Sequence, residues 1–457
     1  MRRFTSKALL VIVLAFALFV TGAMGVAAAG AKNVIVCIGD GMGYGAIQIS
    51  KYALKGPSGR FAFELFPNSA IVTTYSLNAL VTDSAAAATA IATGHKTNNG
   101  VIAMLPDGTV LRTILEAMKD AGKATGMVVT NTVYDATPAG FASHWNTRGG
   151  SAEIAAQLLD KELDVLMGGG RDQFRVKGVA DGKRTDGRNL MGEATALGYS
   201  VVTDRQGLEK AAGDRILGLF HPSYMNYQLD RIHLGADEPT LSDMTAKALS
   251  VLKQKENGFF LMIEGSRIDH AAHAGDVSGV VAELSDFNEA VALAYQFAIA
   301  DGNTLVIVTA DHDTMGLSAT EPFDYERMKQ FKVSPEFMAL QFKKADDGKS
   351  FDPASIRQVF AEYANVTDVT DADIALIQSM FGRAPYLAGY AVGAVLSSRL
   401  NAGIVSSAVQ IKSPSSGGHT GNPVPLFAFG PGAELFGGVM DNTEISPKIA
   451  QAAGIEF

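Results

Sequence analysis

Cysteine is all but missing from this chain: among 457 residues there is one, Cys37. A single thiol closes no intrachain disulfide, so stability has to come from a large core, from bound metal, or from both. Cys37 itself sits inside an apolar run and reads as a buried core residue. Positive charge is scarce too, with 38 Lys and Arg against 47 Asp and Glu and a formal net charge of −9. Nucleic-acid binding calls for basic patches, so that balance argues against a nucleic-acid partner. Long apolar runs are limited to residues 8–20, which is short for a stable membrane span.

That run follows Arg2, Arg3 and Lys7 and precedes a small-residue zone at 25–30, the layout of a secretory signal peptide. Residues 1–29 are therefore expected to be removed, with cleavage near Ala28 or Ala29. The remainder is expected to be exported, to the periplasm or beyond the cell. Without Arg2, Arg3 and Lys7 the mature chain sets 35 Lys and Arg against 47 Asp and Glu, a net charge of −12. An acid-rich balance of this kind also suits hard metal cations.

What the chain does have is apolar substance, at 47% hydrophobic residues against 19% charged, enough for a sizeable core. Short apolar, often β-branched runs at 33–38, 70–76, 124–130, 164–167, 216–220, 259–263, 304–308 and 423–429 read as strands. Residues 111–121, 151–161, 241–255 and 277–300 read as helices. Their alternation predicts an α/β three-layer sandwich around a mostly parallel sheet. Residues 171–188, rich in charge and glycine, read as a surface excursion. Residues 320–407 break the rhythm with helices, loops and acidic stretches. They are expected to form a cap inserted into a single domain spanning 30–457.

Chemistry gathers at the strand ends. Asp40, Glu264 and Asp311 each come at or just after an apolar strand, and Asp135 and Thr137 follow another at a short distance. Open parallel sheets bind ligands outside the carboxyl ends of their strands, so these groups should meet at one edge. Crowded carboxylates raise one another's pKa unless a cation neutralises them. Asp269 and His273 are four apart and share a helical face, while Asp311 and His312 are adjacent and His419 lies in a glycine-rich loop. Mixed Asp and His ligands suit zinc; Thr, Glu and water suit magnesium.

Near this set, Asp83 and Ser84 precede a run of alanines. Asp and Ser are favoured where helices begin and alanine propagates them, so a plain helix cap is the simplest reading of the pair. The same geometry offers backbone N–H groups to an anion such as phosphate, and a serine there can be a nucleophile if something activates it.

Together, Asp40-Gly41-Met42-Gly43, Thr82-Asp83-Ser84-Ala85, Asp135-Ala136-Thr137-Pro138, Glu264-Gly265 with Ile268-Asp269, Thr309-Ala310-Asp311-His312 and His419-Thr420-Gly421 resemble the alkaline phosphatase family. The motifs occur in the family's order and cover most of the chain from Asn33 onward, outside the inserted segment. The resemblance implies hydrolysis of small phosphomonoesters through a phosphoserine intermediate, releasing inorganic phosphate. It implies Ser84 as nucleophile and Arg148 as phosphate clamp. One zinc would be held by Asp269, His273 and His419, and a second by Asp40, Asp311 and His312 with Ser84. A magnesium would be held by Asp40, Thr137 and Glu264, with Asp135 behind it and Asp83 orienting Arg148. A homodimer is the assembly common in the family.

Two positions depart from relatives, and they bear on the third ion and the pH optimum. His270 stands where some bacterial relatives carry lysine, and Asp135 where animal relatives carry histidine. His270 has two readings, a water-mediated phosphate contact or a support for the ligand set. His95, His144, His221 and His233 match no ligand motif. Among rivals, a sulfatase would need a Cys/Ser-x-Pro-x-Arg setting, which Ser84-Ala85-Ala86-Ala87-Ala88 lacks. A phosphodiesterase on the same scaffold, and a secreted phosphate- or metal-binding protein without turnover, are the remaining alternatives.

Overall fold

The computed structural model describes residues 30–405 and 417–457, so the leader expected at 1–29 lies outside the described residues. The chain builds β1 (Asn33–Gly39), β2 (Asn68–Thr73), β3 (Ala124–Thr132), β4 (Val165–Gly169), β5 (Ser200–Val202), β6 (Ile216–Leu219), β7 (Phe259–Gly265) and β8 (Thr304–Thr309). Four two-residue strands follow, β9 (Asp313–Thr314), β10 (Ser318–Ala319), β11 (Ala402–Gly403) and β12 (His419–Thr420). The last two are β13 (Val424–Phe429) and β14 (Gly438–Asp441). Ten of these form one sheet in the order β14-β2-β13-β8-β1-β7-β3-β4-β6-β5. Only β13 runs against its neighbours.

The central strands β1, β7 and β8 are buried at every position, which explains why they read as unbroken apolar runs. Helices Leu241–Leu252 and Val277–Asp301 pack together against the sheet. A second group, Ser84–Thr93, Ile114–Asp120, Ala136–Ala142 and Ile445–Ala453, also packs together. The three-layer α/β architecture with a mostly parallel sheet is as the sequence predicts. Pairing is in register at the functional edge: Ile38 lies level with Glu264 on one side and Thr309 on the other, and Val129 with Glu264. The carboxyl ends of β8, β1, β7 and β3 therefore sit side by side.

Some boundaries move, each for a local reason. The strand expected at 70–76 is Asn68–Thr73, because its partners on both sides stop there, with Val424 paired to Val72 and Asp441 to Thr73. The helix expected at 111–121 starts later, at Ile114, because Thr113 and Glu116 form a reciprocal capping box. The excursion at 171–188 is less superficial than its composition suggests. Its Arg184 is 1% exposed and donates to the carbonyls of Ala152 and Gln173 and to Asp186.

Between β10 and β11, which pair with each other, lie five helices: Tyr325–Met328, Pro335–Leu340, Pro353–Ala364, Asp371–Gln378 and Pro385–Arg399. This inserted segment leans on the functional edge. Ser334 donates its N–H and hydroxyl to Asp230 at 2.7 and 2.6 Å, and the Tyr390 ring stacks on His273 at 6.5 Å. Among the described residues, no helix is long and apolar enough to cross a membrane.

Candidate active site

Asp40 leaves β1 on a turn that only glycine allows. Gly41 has φ +69°, and a Cβ there would meet Thr314 Oγ1 at 2.7 Å. The Gly41 N–H donates to Asp311 Oδ1 at 3.0 Å, joining the ends of β1 and β8. Glu264 is the penultimate residue of β7, and Asp269 and His273 lie on the short helix Arg267–His273 that follows it. Thr137 lies in helix Ala136–Ala142, which Asp135 caps. His419 arrives on β12, paired antiparallel to β9 and so placed beside His312. The two imidazoles stack at 3.7 Å between ring centres.

Two clusters result. Asp269, His273 and His419 converge: His273 Nε2 lies 3.3 Å from Asp269 Oδ2 and 3.1 Å from His419 Nε2, and His419 Nε2 lies 3.7 Å from Asp269 Oδ1. Asp40, Asp311 and His312 form the second, with His312 Nε2 3.1 Å from Asp311 Oδ2 and 3.6 Å from Asp40 Oδ1. The tautomers follow from the outer hydrogen bonds. His419 Nδ1 lies 2.9 Å from the Thr82 carbonyl, so it carries the proton and Nε2 a lone pair. The Thr314 hydroxyl donates to Asp269 Oδ1 at 2.5 Å, so it accepts from His312 Nδ1–H at 3.2 Å and again leaves a lone pair on Nε2.

The lone pairs of His419 and His312 thus face carboxylate oxygens inside a buried site, contacts that repel. Asp269 and His273 instead attract, which against burial holds Asp269 well below and His273 above its ordinary value. Asp40 Oδ1, Glu264 Oε2 and Asp311 Oδ2 are buried and receive no hydrogen bond. Burial, with Asp311, Asp269 and Glu264 nearby, pushes Asp40 well above the carboxylate range. Burial first, then the charges of Asp135 and Asp311, raise Glu264 to about 8, although the hydroxyls of Ser266 and Thr137 pull it back. Asp311 is raised to about 7, again mainly by burial. Burial likewise holds His419 down to about 4 and His312 well below its usual value, so both rings are neutral and able to donate a lone pair. The donor set fits divalent cations: Asp and neutral His for zinc, and carboxylates with a threonine for magnesium.

Ser84 opens helix Ser84–Thr93, all of whose residues are buried, and its Oγ lies 3.2 Å from His312 Nε2. Asp83 is the cap. Its carboxylate accepts from the N–H groups of Ala86 and Gly100, both at 3.0 Å, and from Arg148 Nη1 at 3.2 Å. Arg148 Nη2 donates to Asp135 Oδ1 at 3.0 Å, while Asn131 and the Ala136 N–H occupy the rest of Asp135. Burial alone would lower Arg148, but Asp135, Asp83 and Asp40 keep it above its ordinary value and so charged at alkaline pH. A polar recess of about 390 Å³ opens beside Arg148 and Asp135, walled by Tyr224 and Lys183. A larger cavity, about 760 Å³, lies elsewhere between Arg112 and Arg215, so size does not mark the site.

The family model described as alkaline phosphatase matches residues 31–455. The chain belongs to the alkaline phosphatase family. It is 37% identical to alkaline phosphatase 3 of Bacillus subtilis over 439 residues, covering 92% of this chain and 88% of that one. Among solved structures it resembles the alkaline phosphatase of Thermus thermophilus, with 28% identity, a TM-score of 0.82 and coverage of 94% and 93%. It also resembles the cold-active enzyme of Shewanella sp., with 32% identity, a TM-score of 0.77 and coverage of 92% and 99%. A third likeness, at 28% identity and a TM-score of 0.67, is to a variant of the TAB5 alkaline phosphatase with Mg bound in its M3 site, covering 94% and 99%.

This alkaline phosphatase is a phosphomonoesterase, and all the residues read as candidates lie at one edge of its sheet. His270 is held apart from the two clusters: Arg267 Nη1 donates to its Nδ1 at 2.5 Å and Tyr224 packs edge-on at 4.9 Å. Burial and Arg267 hold it down to about 3, so it is neutral with its proton on Nε2. Sequence reasoning missed Thr314, which orients Asp269 and His312 at once, and Arg267, whose guanidinium lies 3.5 Å over the Tyr227 ring. Thr314 follows Asp311-His312-Asp313 directly, and its place in that loop was the available signal.

Proposed function

We propose that Ser84 is the nucleophile for phosphomonoester hydrolysis and that the carboxyl edge of β8, β1, β7 and β3 holds two zinc ions and one magnesium. Asp269, His273 and His419 would hold one zinc; Asp40, Asp311 and His312, with Ser84, the other. Asp40, Thr137 and Glu264 would hold the magnesium, with Asp135 beside it. When bound, the ions supply Lewis acidity and offset the negative charge developing on the attacking and leaving oxygens.

The chain's own groups do the rest. Arg148 is half-exposed and braced by Asp83 and Asp135, so two N–H groups can meet two phosphate oxygens in parallel. Helix Ser84–Thr93 directs its N-terminal N–H groups and positive dipole end at the same anion. Ser84 Oγ attacks phosphorus, the ester P–O bond breaks, and water then cleaves the phosphoserine to give inorganic phosphate. His270 keeps Nε2–H as a donor and packs against Tyr224, which borders the recess beside Arg148, and this suits a phosphate contact through water. The observation that carries this reading is Ser84 Oγ facing His312 while Arg148 is fixed between Asp83 and Asp135.

A diester would place a second organic group where Arg148 seeks a free oxygen, so monoesters are the substrates and diesterase activity a minor trait. The signal-peptide layout supports an exported enzyme. The test compares p-nitrophenyl phosphate with its bis-ester on zinc- and magnesium-loaded protein. Ser84→Ala is expected to lower monoester kcat by at least ~10⁴-fold. Full activity in that variant would refute the covalent route, and no turnover in the loaded wild type would favour a binding protein.

A further inference from the structure

His144 matches no ligand motif, yet it is one of the most fully bonded histidines in the molecule. It lies four residues before Arg148, in the link between helices Ala136–Ala142 and Ser151–Asp160. Nδ1 is 3.0 Å from the Ala103 carbonyl oxygen and Nε2 is 2.9 Å from Glu116 Oε1. Both partners only accept. Burial works against Glu116, but His144, Lys161 at 2.5 Å and the Thr113 N–H at 2.9 Å hold its carboxyl down to about 2. A neutral imidazole has one N–H, and meeting two acceptors takes two.

The main chain around the ring is laced just as tightly. The Gln157 amide accepts from the His144 N–H at 2.8 Å and donates to its carbonyl at 3.1 Å. Trp145 exchanges both backbone hydrogen bonds with Ile102. The Arg148 N–H donates to the Gly100 carbonyl at 2.7 Å, and the Gly100 N–H donates to Asp83 Oδ2 at 3.0 Å. Segments 100–103 and 144–148 thus run as one strap from Glu116 to the carboxylate that braces Arg148.

We propose that His144 is a positioning residue, held as an imidazolium that ties these two segments together and so sets where the Arg148 guanidinium meets phosphate. The charged groups facing it are Glu116 from helix Ile114–Asp120 and Lys161 from the end of helix Ser151–Asp160. Burial and Lys161 work against the charge, but Glu116 and the Ala103 carbonyl together outweigh them, so His144 keeps its proton above the ordinary imidazole range. Glu116, Gln157 and Lys161 also line the 760 Å³ cavity, which gives water a route to the cluster. Once pH rises past that ionisation, one of the two ring contacts becomes lone pair against lone pair, the strap loosens, and phosphate binding weakens.

The proposal rests on Arg148 as the phosphate clamp, and the experiment separates the two claims. KM for p-nitrophenyl phosphate, kcat and Ki for inorganic phosphate are measured on metal-loaded wild type, His144→Phe, Arg148→Ala and the double variant from pH 6 to 10. Arg148→Ala alone tests the clamp: an unchanged Ki overturns that reading first. With the clamp in place, His144→Phe is expected to raise Ki roughly tenfold while kcat changes far less, and to add nothing in the Arg148→Ala background. An equal rise in both backgrounds overturns the proposal. His144→Gln, which keeps one donor, is expected to fall between wild type and His144→Phe. Should the phenylalanine variant fail to fold, the glutamine variant is read by the same criterion. Nitrogen-15 NMR of the His144 ring in folded wild type at pH 6.5 is independent of any variant: both ring nitrogens predominantly protonated is expected, and a predominantly neutral ring overturns the proposal.

Discussion

The two edges of the central sheet use acidic residues in opposite ways. At the amino edge, acids are met by the protein's own cations: Glu162 by Arg215 at 2.9 Å and Asp164 by Lys255 at 2.9 Å. At the carboxyl edge, Asp40, Glu264 and Asp311 are deeper, closer together, and each keeps an oxygen without a hydrogen bond. Arg148 is a cation of the protein at that edge, and Asp83 and Asp135 already occupy it. The difference teaches what each edge is for. An edge whose acids meet the protein's own cations needs none from outside, whereas an edge left several charges short must draw its cations from solution.

Removing metal should break the comparison most visibly. Glu264 and Asp311 have folded-state values near 8 and 7, above their ordinary 4.5 and 3.8, so the folded chain binds more protons than the unfolded one between those limits. Stability of the chelated protein is therefore expected to fall as pH rises from about 4 to about 8, and to stay low above it. The metal-loaded protein should lack that decline. Thermal melts with and without chelator, across this range, check the sign. In the same chelated state Asp311→Asn should raise Tm by removing one repelling charge, while abolishing activity after zinc is restored.

Arg148→Ala comes next. Losing two charge-assisted hydrogen bonds should weaken inorganic phosphate by about 10- to 100-fold in inhibition assays, and leave the zinc content intact. A smaller change sharpens the contrast within the carboxyl edge. Thr314→Val leaves every proposed ligand in place but frees Asp269 and His312, and is expected to lower zinc affinity by about 10- to 100-fold in chelator competition with a smaller loss of activity at saturating zinc. At the amino edge, Lys255→Met should change stability by no more than about 1 kcal/mol and leave kcat unaltered, since its ion pair is partly exposed. A large kinetic effect there would show that the edges are not separate in function.

Much of this contrast could be read before any coordinates, and the reason is local. Asp40, Glu264 and Asp311 are each delivered by a short buried strand whose apolar run is plain in sequence, and a parallel sheet brings such ends together whatever their distance along the chain. Asp83-Ser84 could be read as a helix start for the same kind of reason, since cap and alanine run are neighbours. What stayed hidden depends on contacts between distant segments. β5 and β14 are edge strands of three and four residues, too short to show a period, and Val439 on the latter is exposed. Thr314 gains its importance only when β9 meets β12. His144 gains its own only when helix Ile114–Asp120 places Glu116 against it, and Arg184 could not be told from a surface arginine by composition.

The central claim is that the carboxyl edge is incomplete without cations. It is tested most directly by measuring zinc and magnesium per chain alongside monoester turnover during stepwise chelation and restoration. The account predicts two zinc ions and one magnesium at full activity, with turnover lost as zinc leaves and regained as it returns. Undiminished turnover in protein stripped of both metals would contradict it.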